Sequence, residues 1–505
     1  MAMVGFLIRE LRRPQVAARV DQVMAAEATR PAAVAPPKTP APPADPAQFR
    51  ELLSLAGWDA KRLSALQLGD ALSETNRSEL AQLLWRLKRF DSPRLAVLAH
   101  DGRLTDADAS SDVAGELVAL NGLVTKVVRR ELPAELATRL EMPAYYECEM
   151  TLAGDAGQAK IIAARVPTAW LDMESLDERA TAGGVFIRLL SHDQQSPHGL
   201  FVSPEIAWYP VEPNAPYVSL GKSILGQLGV DVGLFDLIRQ RRPITSAERD
   251  SFYQVLGAAG RLGTNQLDRF ARQQLPFIAQ RWAAEERKLA ESAADPARLQ
   301  LAREVQARAA KGLYSVAPLF NDAANQVGEL VVLEGTVRRV TPIDVDNFRY
   351  YELDLFTDDS QNNPIVVCVR QLPPGFPIGN NLHEPVRVAG FFFKSWSFRS
   401  RRANLASANG EVPAAADMQQ FAPLVIGRSP LVLPPADDAG RHFFGVVAAG
   451  MFVLLLAGIW AVGWWLARED RRFVRGTLAE RYSLPKGESL NDLNLDVDRN
   501  AGSAD

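Results

Sequence analysis

Apolar positions along this chain change their spacing repeatedly. From Phe49 to about Leu98 they fall three and four residues apart, as in FRELLSLAG (49–57) and SELAQLLWRLKRF (78–90). That is the spacing of helices burying one face. From Val113 to about Val211 the pattern shortens into runs such as ELVALNGLVTKVV, YYECEMTL, AKIIAARV, GVFIRLLS and PEIAWYPV. Each is rich in β-branched or aromatic residues and bounded by Gly, Pro or Asp, which predicts strands. Helical spacing returns from about Lys222 to Leu313, ending in a piece rich in Ala, Glu, Arg and Leu that Pro296 breaks, with Asp295 as the cap of its second part. Strand-like runs resume from Gly328 to about Val432: ELVVLEGTVRRV, YYELDLF, PIVVCVR, PVRVAGFFFKSW and APLVIG.

The order helix, strand, helix, strand is a repeat. GELVALNGLV (115–124) and GELVVLEGTV (328–337) agree at seven of ten positions. Tyr145-Tyr146-Glu147 matches Tyr350-Tyr351-Glu352, AKIIAARVP (159–167) matches PIVVCVRQLP (364–373), VFIRLL (185–190) matches VRVAGFFF (386–393), and SPEIAW (203–208) matches APLVIG (422–427). The helical parts echo as well. With Gly57 on Gly229 and no gaps, Asp59 falls on Asp231, Ser73 on Thr245, Arg77 on Arg249 and Gln82 on Gln254. Ser73 and Thr245 each stand where a helix N-cap is expected. The repeating unit is therefore a helical module followed by a β module.

The β module has about five strands, and its long first strand carries a central glycine, Gly122 or Gly335. A glycine there lets one strand coil tightly enough to serve both sides of a small barrel. The V-x-L-x-G-x-V first strand, the acidic turn at Asp358-Asp359-Ser360 and the later V-x-V-x-G-x-F strand resemble an OB-fold; a small β-sandwich also fits. The predicted fold class is α+β: two helical-plus-small-β-barrel (OB-like) units in tandem, followed by one C-terminal transmembrane helix. The expected layout is an N-terminal stretch and Pro/Ala-rich linker (1–48), helical module 1 (49–110), β module 1 (111–215), helical module 2 with a long helical insertion (216–325), β module 2 (326–434), the transmembrane helix (443–466) and a polar tail (467–505).

The segment Phe443 to Leu466 contains no charged residue. As a helix it would be about 36 Å long, enough to cross a bilayer core with some tilt. Trp460, Trp464 and Trp465 gather toward its far end, as in an interfacial aromatic belt. Arg468, Arg471, Arg472 and Arg475 follow, so the positive-inside rule puts the tail in the cytoplasm and most of the chain outside. Export needs a signal, and the apolar stretch Ala2–Ile8 is short for one. Two readings stay open: a signal lies upstream of Met1, or the large domains override the arginine bias and stay cytoplasmic. The Pro/Ala tract inclines the reading toward export.

Composition narrows the chemistry. At 505 residues the chain holds roughly two to four domains. A net charge of −4 gives no overall pull toward nucleic acid. Two cysteines, Cys148 and Cys368, exclude a disulfide framework and a cysteine-rich zinc site; each lies in a strand-like run and reads as a buried free thiol. Neither His192 nor His198 has a metal-site pattern around it. No G-x-S-x-G, H-E-x-x-H or P-loop motif occurs. The expectation is therefore no catalytic residue, no metal and no cofactor. Glu147 and Glu352 are expected at the surface or at a barrel mouth.

Candidate contacts cluster in FFFKSWSFRSRR (391–402), where Lys394, Arg399, Arg401 and Arg402 interleave with Trp396 and Phe398. Such a stretch suits anionic lipid or single-stranded nucleic acid; the plain alternative is a strand end with its aromatics packed inward. Tyr351 is a further candidate, since one ring of each tyrosine doublet faces away from the core. The expected function is a non-enzymatic, single-pass membrane-anchored binding or scaffolding protein. Its expected partners are the lipid bilayer and an unidentified protein. The alternative is a membrane-tethered single-strand binder, and no small-molecule substrate is evident.

Overall fold

The computed structural model describes residues 46–67, 73–90, 95, 99–101, 114–155, 157–191, 198–214, 217–291, 296–345, 348–399, 419–434, 447–466 and 468. The chain divides into two units, Met1–Leu433 and Pro434–Asp505. It is a mixed α/β protein with two sheets in tandem and one apolar C-terminal helix.

Among the described residues of the first unit, three helices come first: α1 (Pro46–Leu55), α2 (Ala60–Gln67) and α3 (Glu74–Leu87). The first begins within the predicted linker. Ser73 caps α3 as expected, its side chain accepting the N–H of Asn76. The first sheet contains β1 (His100–Asp101), β2 (Leu117–Glu131), β3 (Ala144–Leu152), β4 (Gln158–Arg165), β5 (Glu178–Ser191), β6 (His198–Glu205) and β7 (Ala207–Trp208), with the short α4 (Ala134–Leu140) between β2 and β3. Five more helices follow: α5 (Leu220–Gln227), α6 (Ser246–Arg261), α7 (Thr264–Glu291), α8 (Pro296–Ala309) and α9 (Ala317–Asn321). The predicted break at Pro296 separates α7 from α8; its cap, Asp295, lies outside the described residues. The second sheet contains β8 (Leu330–Val345), β9 (Phe348–Phe356), β10 (Ile365–Val369), β11 (Gly379–Arg399), β12 (Gln419–Gly427) and β13 (Leu431–Val432).

The two sheets are wired alike. In the first, β2 pairs with β3 and β3 with β4, both antiparallel; β4 pairs with β6 in parallel; β6 pairs with β5 and β5 with β2, both antiparallel. The second repeats this with β8, β9, β10, β12 and β11 in the same places. In each case the pairings return to the strand they started from. The predicted central glycines have the same job in both copies. A Cβ on Gly122 would lie 2.1 Å from the Thr151 carbonyl oxygen, and one on Gly335 would lie 2.2 Å from that of Phe356. The first strand crosses its neighbour too closely for any side chain.

Register corrects two of the sequence matches. Leu117 pairs with Val185, and its counterpart Leu330 pairs with Phe391. The segment GGVFIR (183–188) therefore corresponds to AGFFFK (389–394), not VFIRLL to VRVAGFFF. Both strands carry a bulge at the same step, Phe186/Arg188 and Phe392/Lys394. Likewise Val202 and Ile426 hold equivalent positions, so APLVIG corresponds to HGLFVS (198–203) rather than SPEIAW.

Two apolar clusters hold the unit together. One joins α1–α3 to the outer face of the first sheet, through Phe49, Leu53, Trp58, Leu84, Tyr145, Val185 and Val202. The other runs without a break from the inner residues of the first sheet through α5–α9 to both sides of the second. The second helical module thus packs against both sheets, a fusion that the repeat pattern alone does not reveal. Tyr145 and Tyr350 are the core members of their doublets; Tyr350 meets Phe252 of α6 edge to face, ring centroids 5.8 Å apart. Cys148 and Cys368 are buried and take part in no disulfide, as expected.

In the second unit, α10 (Val447–Leu466) is a helix of 20 residues, long and apolar enough to cross a membrane and about 30 Å in length. Residues 443–446 of the predicted span, and all of the tail except Arg468, lie outside the described residues. The Arg468 guanidinium stands 5.2 Å from the Trp464 ring centroid, a cation–π contact at the end of the span.

Candidate binding surface

The stretch expected to present bases and aromatics lies on the last third of β11, and most of its described part points inward. Phe391, Phe392, Phe393, Lys394, Ser395, Trp396 and Ser397 are all buried. Alternation would bury every second residue. Here the bulge at Phe393 shifts the face, β12 covers one edge, and a loop from the second helical module covers the other. That loop runs from Ile238 to Thr245. Arg241 N–H donates to the Ser395 carbonyl at 2.7 Å, Ser395 N–H donates to Gln240 Oε1 at 2.7 Å, and Arg242 forms a parallel bridge with Trp396.

Lys394 is the first correction to the expected contact surface. Its ammonium is sealed from solvent and donates to both carboxylate oxygens of Glu248, at 2.8 and 3.0 Å. Burial lowers the lysine's pKa, and Glu248 pulls it part of the way back. Glu248 sits in the first turn of α6, capped by Thr245. Its Oε2 also accepts Thr245 N–H at 2.7 Å, and its Oε1 accepts Arg239 N–H at 2.6 Å. One carboxylate therefore ties both ends of the 238–245 loop to each other and to β11. The Thr245-x-x-Glu248 spacing is a capping-box pattern legible in the sequence; its lysine partner, 146 positions away, is not. In the first copy Arg188 occupies the place of Lys394 and Asn76 that of Glu248, so this buried pair belongs to the second copy.

Trp396 is the second correction: at 6% exposure its ring offers no stacking face. Phe398 and Arg399 continue β11 by pairing with Gln420 and Gln419, with their side chains outside the described residues, as are Arg401 and Arg402 altogether. Tyr351 is partly buried against the core, opposite Pro342 and Val369.

What the second copy of the repeat does expose is the loop itself. Arg239, Arg241 and Arg242 are all exposed, and among the described residues none of them makes a salt bridge. Arg241 has φ of 58°, a left-handed conformation that non-glycine residues adopt at a cost; its bond to Ser395 holds it there. Its guanidinium lies 5.6 Å from the ring centroid of Phe421, which is 38% exposed. In sequence this RQRR run (239–242) carries no signal of its own, because it falls within a predominantly helical stretch.

Three other charged groups are embedded in the fold. Glu147, expected at the surface or at a barrel mouth, is only 4% exposed and faces Arg130 at 3.3 Å and both Arg77 and Lys160 at 3.5 Å. Asp231 caps the turn Val232–Leu237, its Oδ1 accepting Trp208 and Gly233 N–H groups, each at 2.9 Å. Burial raises its pKa to about 7, with Glu205 adding to the rise and the two N–H groups and Arg165 opposing it. Glu329, at the entrance to β8, accepts from Gln274 and from Arg281, and burial raises its pKa. Among the described residues no group of three or more His, Cys, Asp or Glu could hold a metal ion.

No protein-family model matches the sequence, and the comparison with curated proteins returns no match.

Proposed function

We propose that this is a non-enzymatic, single-pass membrane-anchored binding or scaffolding protein, with two OB-like barrels as its binding framework. The observation that carries the reading is α10, an apolar helix of bilayer length in a chain whose other unit holds two identically wired sheets. Five strands pairing in a ring, with a glycine letting the first strand coil, support the barrel assignment over a sandwich. The test is extraction. Membranes carrying the full chain should retain it through an alkaline carbonate wash, and deletion of 447–466 should move it to the soluble fraction. Retention of the deleted form would overturn the single-anchor reading.

A membrane-tethered single-strand binder is the second reading. The exposed Arg239, Arg241 and Arg242 beside Phe421 favour it. The burial of Trp396 counts against it, because stacking platforms need open ring faces.

A further inference from the structure

We propose that the Arg239–Arg242 loop, with Phe421 beside it, binds the phosphate of anionic phospholipid headgroups. The proposal rests on the membrane-anchored reading for its choice of phosphate source. The loop is built for presentation. Its ends are fastened by Glu248 and its middle by the backbone bond to Ser395, so its three guanidinium groups stand on a fixed frame. The carboxylate that fastens the loop, Glu248, spends its charge on the buried Lys394 ammonium, and among the described residues none of the three arginines makes a salt bridge. Their positive charge is therefore left unpaired among the described residues and open to an external anion. Guanidinium is the side-chain group best matched to phosphate oxygens, which it binds through paired N–H donors. A held Arg241 has already surrendered the backbone freedom that binding would otherwise remove.

Headgroups fit better than a nucleic-acid strand. A single strand needs successive aromatic faces as well as charge. Among the described side chains beside this loop one ring, Phe421, is partly exposed, and Arg241 stands over it. A partly exposed phenyl ring beside arginines suits the boundary between headgroups and acyl chains. Each arginine near an anionic bilayer contributes about 1 kcal/mol, so three together would change affinity by roughly a hundredfold if all are engaged.

The test uses the full chain in a neutral detergent, titrated with mixed micelles containing phosphatidylglycerol or phosphatidylcholine. The loop variant is Arg239→Gln/Arg241→Gln/Arg242→Gln. The control, Arg269→Gln/Arg287→Gln/Arg349→Gln, removes the same charge from exposed positions elsewhere. Equal thermal melts establish that both variants fold. Phosphatidylglycerol should raise the affinity of the wild type and the control alike, at least tenfold over phosphatidylcholine micelles, which take up all three proteins equally through α10, and should leave the loop variant at the phosphatidylcholine level. Equal weakening in both variants would overturn the proposal, since net charge alone would then explain it. Saturation by inorganic phosphate at the same headgroup concentration would also overturn it, by reassigning the loop to a free anion. So would salt-sensitive binding of a single-stranded oligonucleotide, lost in the loop variant, without the phosphatidylglycerol preference. Because the titration is done in detergent, failure of the carbonate-extraction test leaves its outcome readable on its own.

Discussion

Lys394 of β11 and Glu248 of α6 meet at 2.8 Å with both side chains fully excluded from solvent. A charge pair at that depth gains little over an apolar pair, but removing one partner strands the other. Lys394→Met should cost about 3–5 kcal/mol. Adding Glu248→Gln should recover part of that loss rather than add to it, although the glutamine keeps only one of the two oxygens that Arg239 and Thr245 N–H groups use. Chemical unfolding of the two single variants and the double variant gives the coupling directly. Strictly additive losses would mean the pair is not coupled.

Asp231 makes stability depend on pH in an unusual direction. Its carboxyl titrates near 3.8 when unfolded and about 7 when folded. The folded state therefore keeps a proton that the unfolded state has released between those values. The Asp231 contribution to stability is full below the lower value and is lost as pH rises through the upper one, by at most about 4 kcal/mol. Asp231→Asn keeps an Oδ1 to accept the Trp208 and Gly233 N–H groups and removes the titration. The variant should melt higher than wild type at pH 8 and show a shallower decline between pH 4 and 7. Glu329, raised in the same sense, leaves a residual slope. A melt at pH 8 lower than wild type would contradict this role for Asp231.

The paired glycines supply a third check. Alanine at Gly122 or Gly335 drives a methyl into the neighbouring strand's carbonyl, so each should cost about 1–3 kcal/mol or more. Gly257 lies within α6 with open space at its Cβ position, and Gly257→Ala should instead gain up to about 1 kcal/mol. Thermal melts of the three variants report both signs. A neutral Gly335→Ala would remove the glycine's role in coiling β8.

Local signals carried most of the architecture. The echo of GELVALNGLV in GELVVLEGTV marked equivalent first strands, the Ser73 and Thr245 caps marked equivalent helix starts, and the tyrosine doublets divided into core and outer rings as alternation requires. Failures came where long-range pairing decides. The fifth and eleventh strands are equivalent through GGVFIR and AGFFFK, which share few identities, so only the pairing of Leu117 with Val185 and of Leu330 with Phe391 fixes the match. Lys394 reads as a surface base because its counter-ion comes from α6, far away in sequence. Glu147 reads as a surface acid because Arg77 and Lys160 reach it from α3 and β4. The exposed arginines at 239–242 went unread for the converse reason: only the fastening of their loop to β11 distinguishes them from a solvated helix face.

The most direct measurement is the sidedness of the chain. Single cysteines at Ala41→Cys and Ser489→Cys can be labelled with a membrane-impermeant thiol reagent in intact cells and again after permeabilisation. The native Cys148 and Cys368 are buried and replaced by alanine as a precaution. A single crossing at 447–466 places the two positions on opposite sides, so one should label in intact cells and the other only after permeabilisation. Labelling of both from the same side would contradict a single membrane anchor.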